Sequence, residues 1–278
     1  MIANDKDNMT KFATPEGTTR YAKRFAGRAA EGHFREAHGL VMSSLGIGTY
    51  LGQPDPKVDA SYTAAIAAAA EAGINVIDAA INYRFQRSER SIGAAIKQLA
   101  VRGFSREELI VCTKGGYLTP DGSMPEEPTE YFLREYIQPG VFTPKDLVAG
   151  SHCMTPRFLE NQLARSLSNL QLDCIDVYYL HNPETQLTEV SRPDFLERVR
   201  DAFIFLESAA DTGKIQFQVT FQAHRESGAP QRIARKAPLA ADIHDGQDSF
   251  LDKFHDVPLI DRTHSAQILD AQGRGFVE

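Results

Sequence analysis

The feature that most constrains this chain is a rhythm. From about residue 39 to about residue 222, short β-branched apolar runs alternate with longer stretches of helical periodicity. Such alternation is the signature of repeated βα units, whose strands lie parallel and whose helices cover the sheet. The apolar runs are 45–50, 74–78, 109–113, 174–180 and 215–221, and the spacing predicts helices over 59–72, 88–99, 155–170 and 192–212. Gly73 and Gly213 stand where helix C-caps belong, Thr155 and Pro156 supply a cap and a first-turn proline, and Ser88 with Glu89 are expected as N-cap and first-turn acid.

The rhythm stops between 117 and 151, where prolines stand at 120, 125, 128, 139 and 144. An insertion of this kind reads as a functional loop or lid rather than a separate domain. Its aromatics Tyr131, Phe132, Tyr136 and Phe142 either line a pocket or make the loop's own small core. Ahead of the first strand, 6–28 is expected to be a charged, poorly structured arm, and 33–41 a short hairpin plugging the bottom of the sheet. Behind the fifth strand, the 57 residues after Phe221 are polar, rich in His, Arg and Asp, and hold no strand-like run. Three further βα units, at roughly 30 residues each, do not fit there. The expected organisation is an arm over 1–38, a βα-repeat domain over 39–221 with an inserted loop at 117–151, and an atypical C-terminal segment over 222–278.

With 42% hydrophobic residues among 278, the chain has material for a sizeable soluble core. Its 37 acidic against 30 basic residues leave a formal charge of −7, which argues against nucleic acid as a partner. Three scattered cysteines, Cys112, Cys153 and Cys174, make neither a disulfide framework nor a metal motif, so a reducing cytoplasm is the expected location. Cys112 reads as a small buried hydrophobe, and His152 with Cys153 are two ligands short of a metal site. No metal is expected. No run approaches the roughly 18 apolar residues of a membrane helix, and the first residues lack a signal-like apolar stretch, so no membrane partner is expected.

Catalytic groups of a parallel sheet collect at the C-terminal ends of its strands. The second strand delivers Asp78 and, five residues on, Tyr83; the third delivers Lys114 and the fourth His181. A buried ammonium beside a phenol favours the phenolate and brings proton donation toward neutral pH, and an ammonium so placed needs a carboxylate. His181 would hydrogen-bond the same carbonyl oxygen. This set protonates an oxygen while something else attacks the carbon, and a hydride from a nicotinamide is the natural attacker. Gly46 and Gly48 are too few for a phosphate-cradling loop and read as aids to tight strand packing.

Here the sequence resembles the aldo-keto reductases. The run from Leu45 to Tyr50 resembles the family's GxGTx first strand, and that from Glu71 to Asp78 its EAGINxID segment. Asn82 and Tyr83, followed by Ser88 and Glu89, match its tyrosine and SE pair. Val111 to Gly115 is similar to its lysine strand, and Asp176 to Asn182 to its DxYxLH strand. The resemblance implies a (β/α)8 TIM barrel, incomplete after the fifth βα unit, and NADPH-dependent reduction of an aldehyde or ketone to an alcohol, with NADH as the alternative cofactor. It implies Tyr83 as general acid, Lys114 and Asp78 as its tuning pair, His181 as the substrate-orienting group, Gly48, Thr49 and Tyr50 near the nicotinamide end of the cofactor, and Asp78 near its ribose. The match covers roughly 40–217 and then departs: Thr220 stands for the usual serine and Phe221 for the usual amide, and the C-terminal part reads as altered or truncated. The rival readings are a non-catalytic nucleotide-binding or regulatory relative and an inactive truncated reductase. The carbonyl substrate and the oligomeric state are not written in these motifs.

Overall fold

A computed structural model describes residues 11–219. The expectations for Thr220, Phe221 and the segment 222–278 fall outside them. Helix α1 (Pro15–Lys23) comes first, followed by an antiparallel hairpin, β1 (Phe34–Ala37) with β2 (Leu40–Ser43). Then come β3 (Gly46–Gly48), α2 (Pro56–Glu71), β4 (Val76–Asp78), α3 (Arg87–Val101) and β5 (Ile110–Gly115). The insertion carries the short helix α4 (Pro128–Phe132). After it the alternation resumes with α5 (Pro156–Leu170), β6 (Ile175–Leu180), α6 (Arg192–Asp211) and β7 (Ile215–Val219).

Strands β3 to β7 form one all-parallel sheet in chain order. The fold class is therefore α/β of the barrel type, with five βα-connected strands among the described residues. Local chemistry sets the helix ends. Asp55 caps α2 by accepting from the Val58 N–H at 2.9 Å, Pro56 opens the helix, and Gly73 leaves it at φ +102°, a left-handed turn that glycine takes without strain. Helix α3 departs from expectation. Its cap position is Gln86, in left-handed conformation and without a side-chain cap, while the Ser88 hydroxyl donates to the Thr49 carbonyl at 2.7 Å. Burial explains the difference for Ser88; Glu89 is the first-turn acid as expected, inaccessible and accepting from Thr113 at 2.7 Å and Asn169 at 2.9 Å.

Two apolar layers flank the sheet. On one side Leu40, Ile110, Cys112, Val177 and Phe217 pack together with Ala13. The hairpin thus closes this end of the sheet as expected. Cys112 is a buried packing residue, its thiol pushed up by burial. On the other side Ala67, Ala70, Leu99 and Leu109 join α2 and α3 to the sheet. Gly93 lets α3 approach α5, since a Cβ there would stand 2.6 Å from the Leu170 carbonyl oxygen.

The expected disorder of 6–28 is corrected over its described part. Tyr21 of α1 is fully buried, its hydroxyl donates to the Ala70 carbonyl at 2.6 Å, and Arg20 and Arg24 pair with the buried Glu108. The charges that suggested an unstructured arm are docking contacts. In the insertion, Tyr136, Val141 and Phe142 cluster with Cys153 and with Phe158 of α5, and Tyr131 and Phe132 pack on them. The loop's aromatics make a small core closed by α5. No helix among the described residues is long and apolar enough to cross a membrane.

Candidate active site

Parallel registration brings the ends of β3, β4, β5 and β6 to one edge. Gly48 pairs with Asp78, Asp78 with Cys112, and Lys114 with Tyr179, so Asp78, Lys114 and His181 emerge side by side. Tyr83 joins them from the turn after β4. Lys114, 1% exposed, donates from Nζ to Asp78 Oδ2 at 2.7 Å and to the Ala79 carbonyl at 2.7 Å. The same ammonium lies 5.0 Å from the centre of the Tyr83 ring. The imidazole of His181 meets that ring edge-on at 5.9 Å. All four expected groups are together.

Their electrostatics differ from the sequence-based expectation at one point. The Tyr83 phenol is held above its ordinary range, first by burial and then by the nearby Asp78 carboxylate. Lys114 donates to Asp78 and Ala79, and the buried phenol stays protonated at neutral pH. Burial also pushes the Asp78 carboxyl upward while Lys114 pulls it back. His181 is driven well below the usual imidazole range by burial and by the Lys114 charge, which keeps it neutral, and its buried Nδ1 has no hydrogen-bond partner among the described residues.

The three residues after Tyr83 are unusual. Arg84, Phe85 and Gln86 have φ of +49°, +56° and +70°. Each left-handed non-glycine residue costs about 1 kcal/mol or more, so neighbours must hold the turn. Arg84 donates to Asp59 at 2.6 Å and to Ser88 and Ser91 at 3.2 Å, while Gln86 donates to the Pro120 carbonyl at 3.1 Å and accepts from Asn169 at 3.1 Å. The turn is a rigid mount for the phenol.

Gly48, Thr49 and Tyr50 share this edge. Thr49 donates to the Asp78 carbonyl at 3.0 Å, and the Tyr50 ring, 44% exposed, stands edge-on to Tyr83 at 4.9 Å. The packing role expected for the two glycines holds for Gly46 alone, where a Cβ would lie 3.3 Å from Val76; beside Gly48 no heavy atom of the described residues lies within 4 Å. That open space and the unpartnered His181 Nδ1 fit the nicotinamide end of a cofactor.

The sequence reading left out Tyr117 and placed His152 only as half of a metal pair. Tyr117 stands edge-on to His181 and to His152, 4.9 Å from each, with its hydroxyl 3.0 Å from Thr185. Its place three residues beyond Lys114, at a strand end, was the available signal.

Comparisons with known proteins identify the family. The model of the Aldo/keto reductase family matches residues 44–223, well over half of the chain and ending near where the motifs fade. The NADH-specific methylglyoxal reductase of Escherichia coli (strain K12) is 27% identical over 183 residues, covering 64% of this chain and 47% of that protein. The 6-dehydroglucose reductase of Novosphingobium aromaticivorans is 26% identical over 184 residues, covering 64% and 47%. The chain spans about half the length of the curated relatives it matches. Among solved structures, an aldo-keto reductase from Bacillus halodurans in holo form is 22% identical, with 66% of this chain and 48% of that one covered at a TM-score of 0.44.

Proposed function

The chain belongs to the aldo/keto reductase family, and from that premise we propose that it is an NADPH-dependent oxidoreductase reducing an aldehyde or ketone to an alcohol. The observation that carries this reading is the 2.7 Å Lys114–Asp78 pair beside a buried Tyr83 phenol and a neutral His181. When bound, NADPH supplies a hydride to the carbonyl carbon. Tyr83 gives its proton to the carbonyl oxygen, and burial keeps that proton in place until it is needed. The Lys114 cation offsets the charge left on the phenolate, and the Asp78 carboxylate balances Lys114 in turn. His181, held neutral, donates a hydrogen bond to the same oxygen and orients the substrate. Gly48, Thr49 and Tyr50 would hold the nicotinamide end, and Asp78 the ribose. NADH is the competing cofactor, because the Escherichia coli relative is named NADH-specific.

The test is a titration of the purified full chain with NADPH and, in parallel, NADH, followed by cofactor fluorescence, then a panel of carbonyl substrates. Binding at micromolar concentration, with turnover that Tyr83→Phe removes while affinity stays, is the expected result. Binding without turnover would move the protein to the non-catalytic, nucleotide-binding reading. A folded sample that binds neither nucleotide would overturn both.

A further inference from the structure

The insertion returns to the sheet at His152, a fully buried imidazole outside the four-residue site. Its Nε2 lies 2.8 Å from the carbonyl oxygen of His181, and its Nδ1 lies 2.8 Å from Gln186 Nε2. An amide nitrogen only donates and a carbonyl oxygen only accepts, so the two contacts set the ring: Nδ1 accepts and Nε2–H donates. The amide cannot turn over, because Gln186 Oε1 accepts from Arg198 of α6 while Gln186 Nε2 also reaches the His152 carbonyl at 3.1 Å. Burial pushes His152 down to about 4, which preserves the neutral, singly donating ring.

His181 needs such an anchor. It stands just past the end of β6; its N–H donates to the Gly115 carbonyl at 2.8 Å, while its own carbonyl is taken by His152 and, among the described residues, by no neighbouring strand. The next residue, Asn182, turns away at φ +43°. Gly116, at φ +149°, makes the approach possible, since a Cβ there would stand 2.9 Å from the His181 oxygen and 3.0 Å from His152 Nε2. Tyr117 packs its edge on both rings.

We propose that His152, locked in one tautomer by Gln186, is a positioning residue that fixes the backbone from which the His181 imidazole reaches the substrate. Its kinetic consequence rests on the carbonyl-reductase reading; its structural consequence does not. A displacement of roughly 1 Å in an orienting group lowers turnover by up to about a hundredfold.

The experiment compares His152→Leu, apolar and without a donor, with His152→Gln, which keeps a donor, in the full chain labelled at its histidine rings. NMR correlations of the His181 ring, assigned by its loss in a His181→Phe sample, are read alongside kcat and the KM for NADPH. In His152→Leu the His181 signals should shift and kcat should fall on the order of ten- to a hundredfold with KM for NADPH little changed; in His152→Gln most of both should return. Gln186→Met should shift the same signals and serves if His152→Leu does not fold. Unmoved His181 signals in His152→Leu or in Gln186→Met, or a His152→Gln protein no better than His152→Leu, would overturn the proposal. A wild-type protein without turnover would remove the reductase reading and leave the NMR comparison to decide the positioning role.

Discussion

Asp176 and His181 are five residues apart in the chain and sit at opposite ends of the sheet. Asp176 is fully buried, and its two oxygens accept from the Ala13 N–H at 2.6 Å, the Val111 N–H at 2.7 Å and Arg106 at 2.6 Å. Nearby, Asn75 stitches β2 to the sheet through the Ser43 N–H and the Val41 carbonyl, and Glu108 accepts from Arg20, Arg24 and the Ser105 N–H. Around His181 the accounting is left open. A buried ring nitrogen lacks a partner, a phenol is kept protonated by burial, and three consecutive residues are strained. One end spends most of its polar groups on holding the fold, with Arg106 Nε a buried exception, and the other holds the groups that the proposed reduction would use.

The contrast breaks if substitutions at the two ends have the same signature. Tyr83→Phe should lower kcat for carbonyl reduction by about 10²- to 10⁴-fold, the usual weight of a positioned general acid, with the melting temperature unchanged. A lowered melting temperature with intact turnover would place the phenol on the structural side. Asp176→Ala should do the reverse. It strips a buried cation and two backbone donors of their acceptor, so urea denaturation should show a loss of about 3–5 kcal/mol. An unaltered denaturation midpoint would dissolve the distinction from the other side.

A pH series sharpens the comparison. His152 takes up its proton near 6.5 in an unfolded chain and only near about 4 when folded, so the unfolded state binds more protons between those values. Stability is therefore full above about pH 6.5 and falls toward pH 4, by about 3 kcal/mol from this group. The groups facing it are the neutral His181, the Tyr117 ring and the uncharged Gln186, with Arg198 behind that amide. The difference between wild type and His152→Gln isolates the contribution, and identical acid profiles would refute it. The smallest effect is expected at Gly48→Ala. The fold should stay within about 0.5 kcal/mol, because the added methyl meets nothing, while the affinity for NADPH should weaken.

The strands, the main helices and the four grouped side chains were legible because period and strand-end position are local signals. Asp78, Lys114 and His181 each end or follow a β-branched run, and parallel pairing alone brings them together. What escaped depends on contacts distant in sequence. The charges of α1 looked like those of a solvated arm because Glu108, their partner, lies more than 80 residues away. Ser88 looked like a cap because nothing local says that Thr49 waits for its hydroxyl. The net direction of the phenol's shift was not legible for the same reason: burial and the Asp78 carboxylate raise it, and burial is a property of the whole packing. His152 was read for its metal-binding chemistry, while its real partners are a carbonyl and an amide contributed by the chain around β6.

In the described sheet, chain order and spatial order coincide from β3 to β7. Each pairing therefore closes a single crossover, the least loop-closure entropy that a parallel sheet permits. This order permits a growing chain to add each strand to a neighbour already made, at one moving edge. Assembly of this kind has a direction. A lesion in β3 or β4 burdens every later addition, whereas the same lesion in β7 reaches only the last.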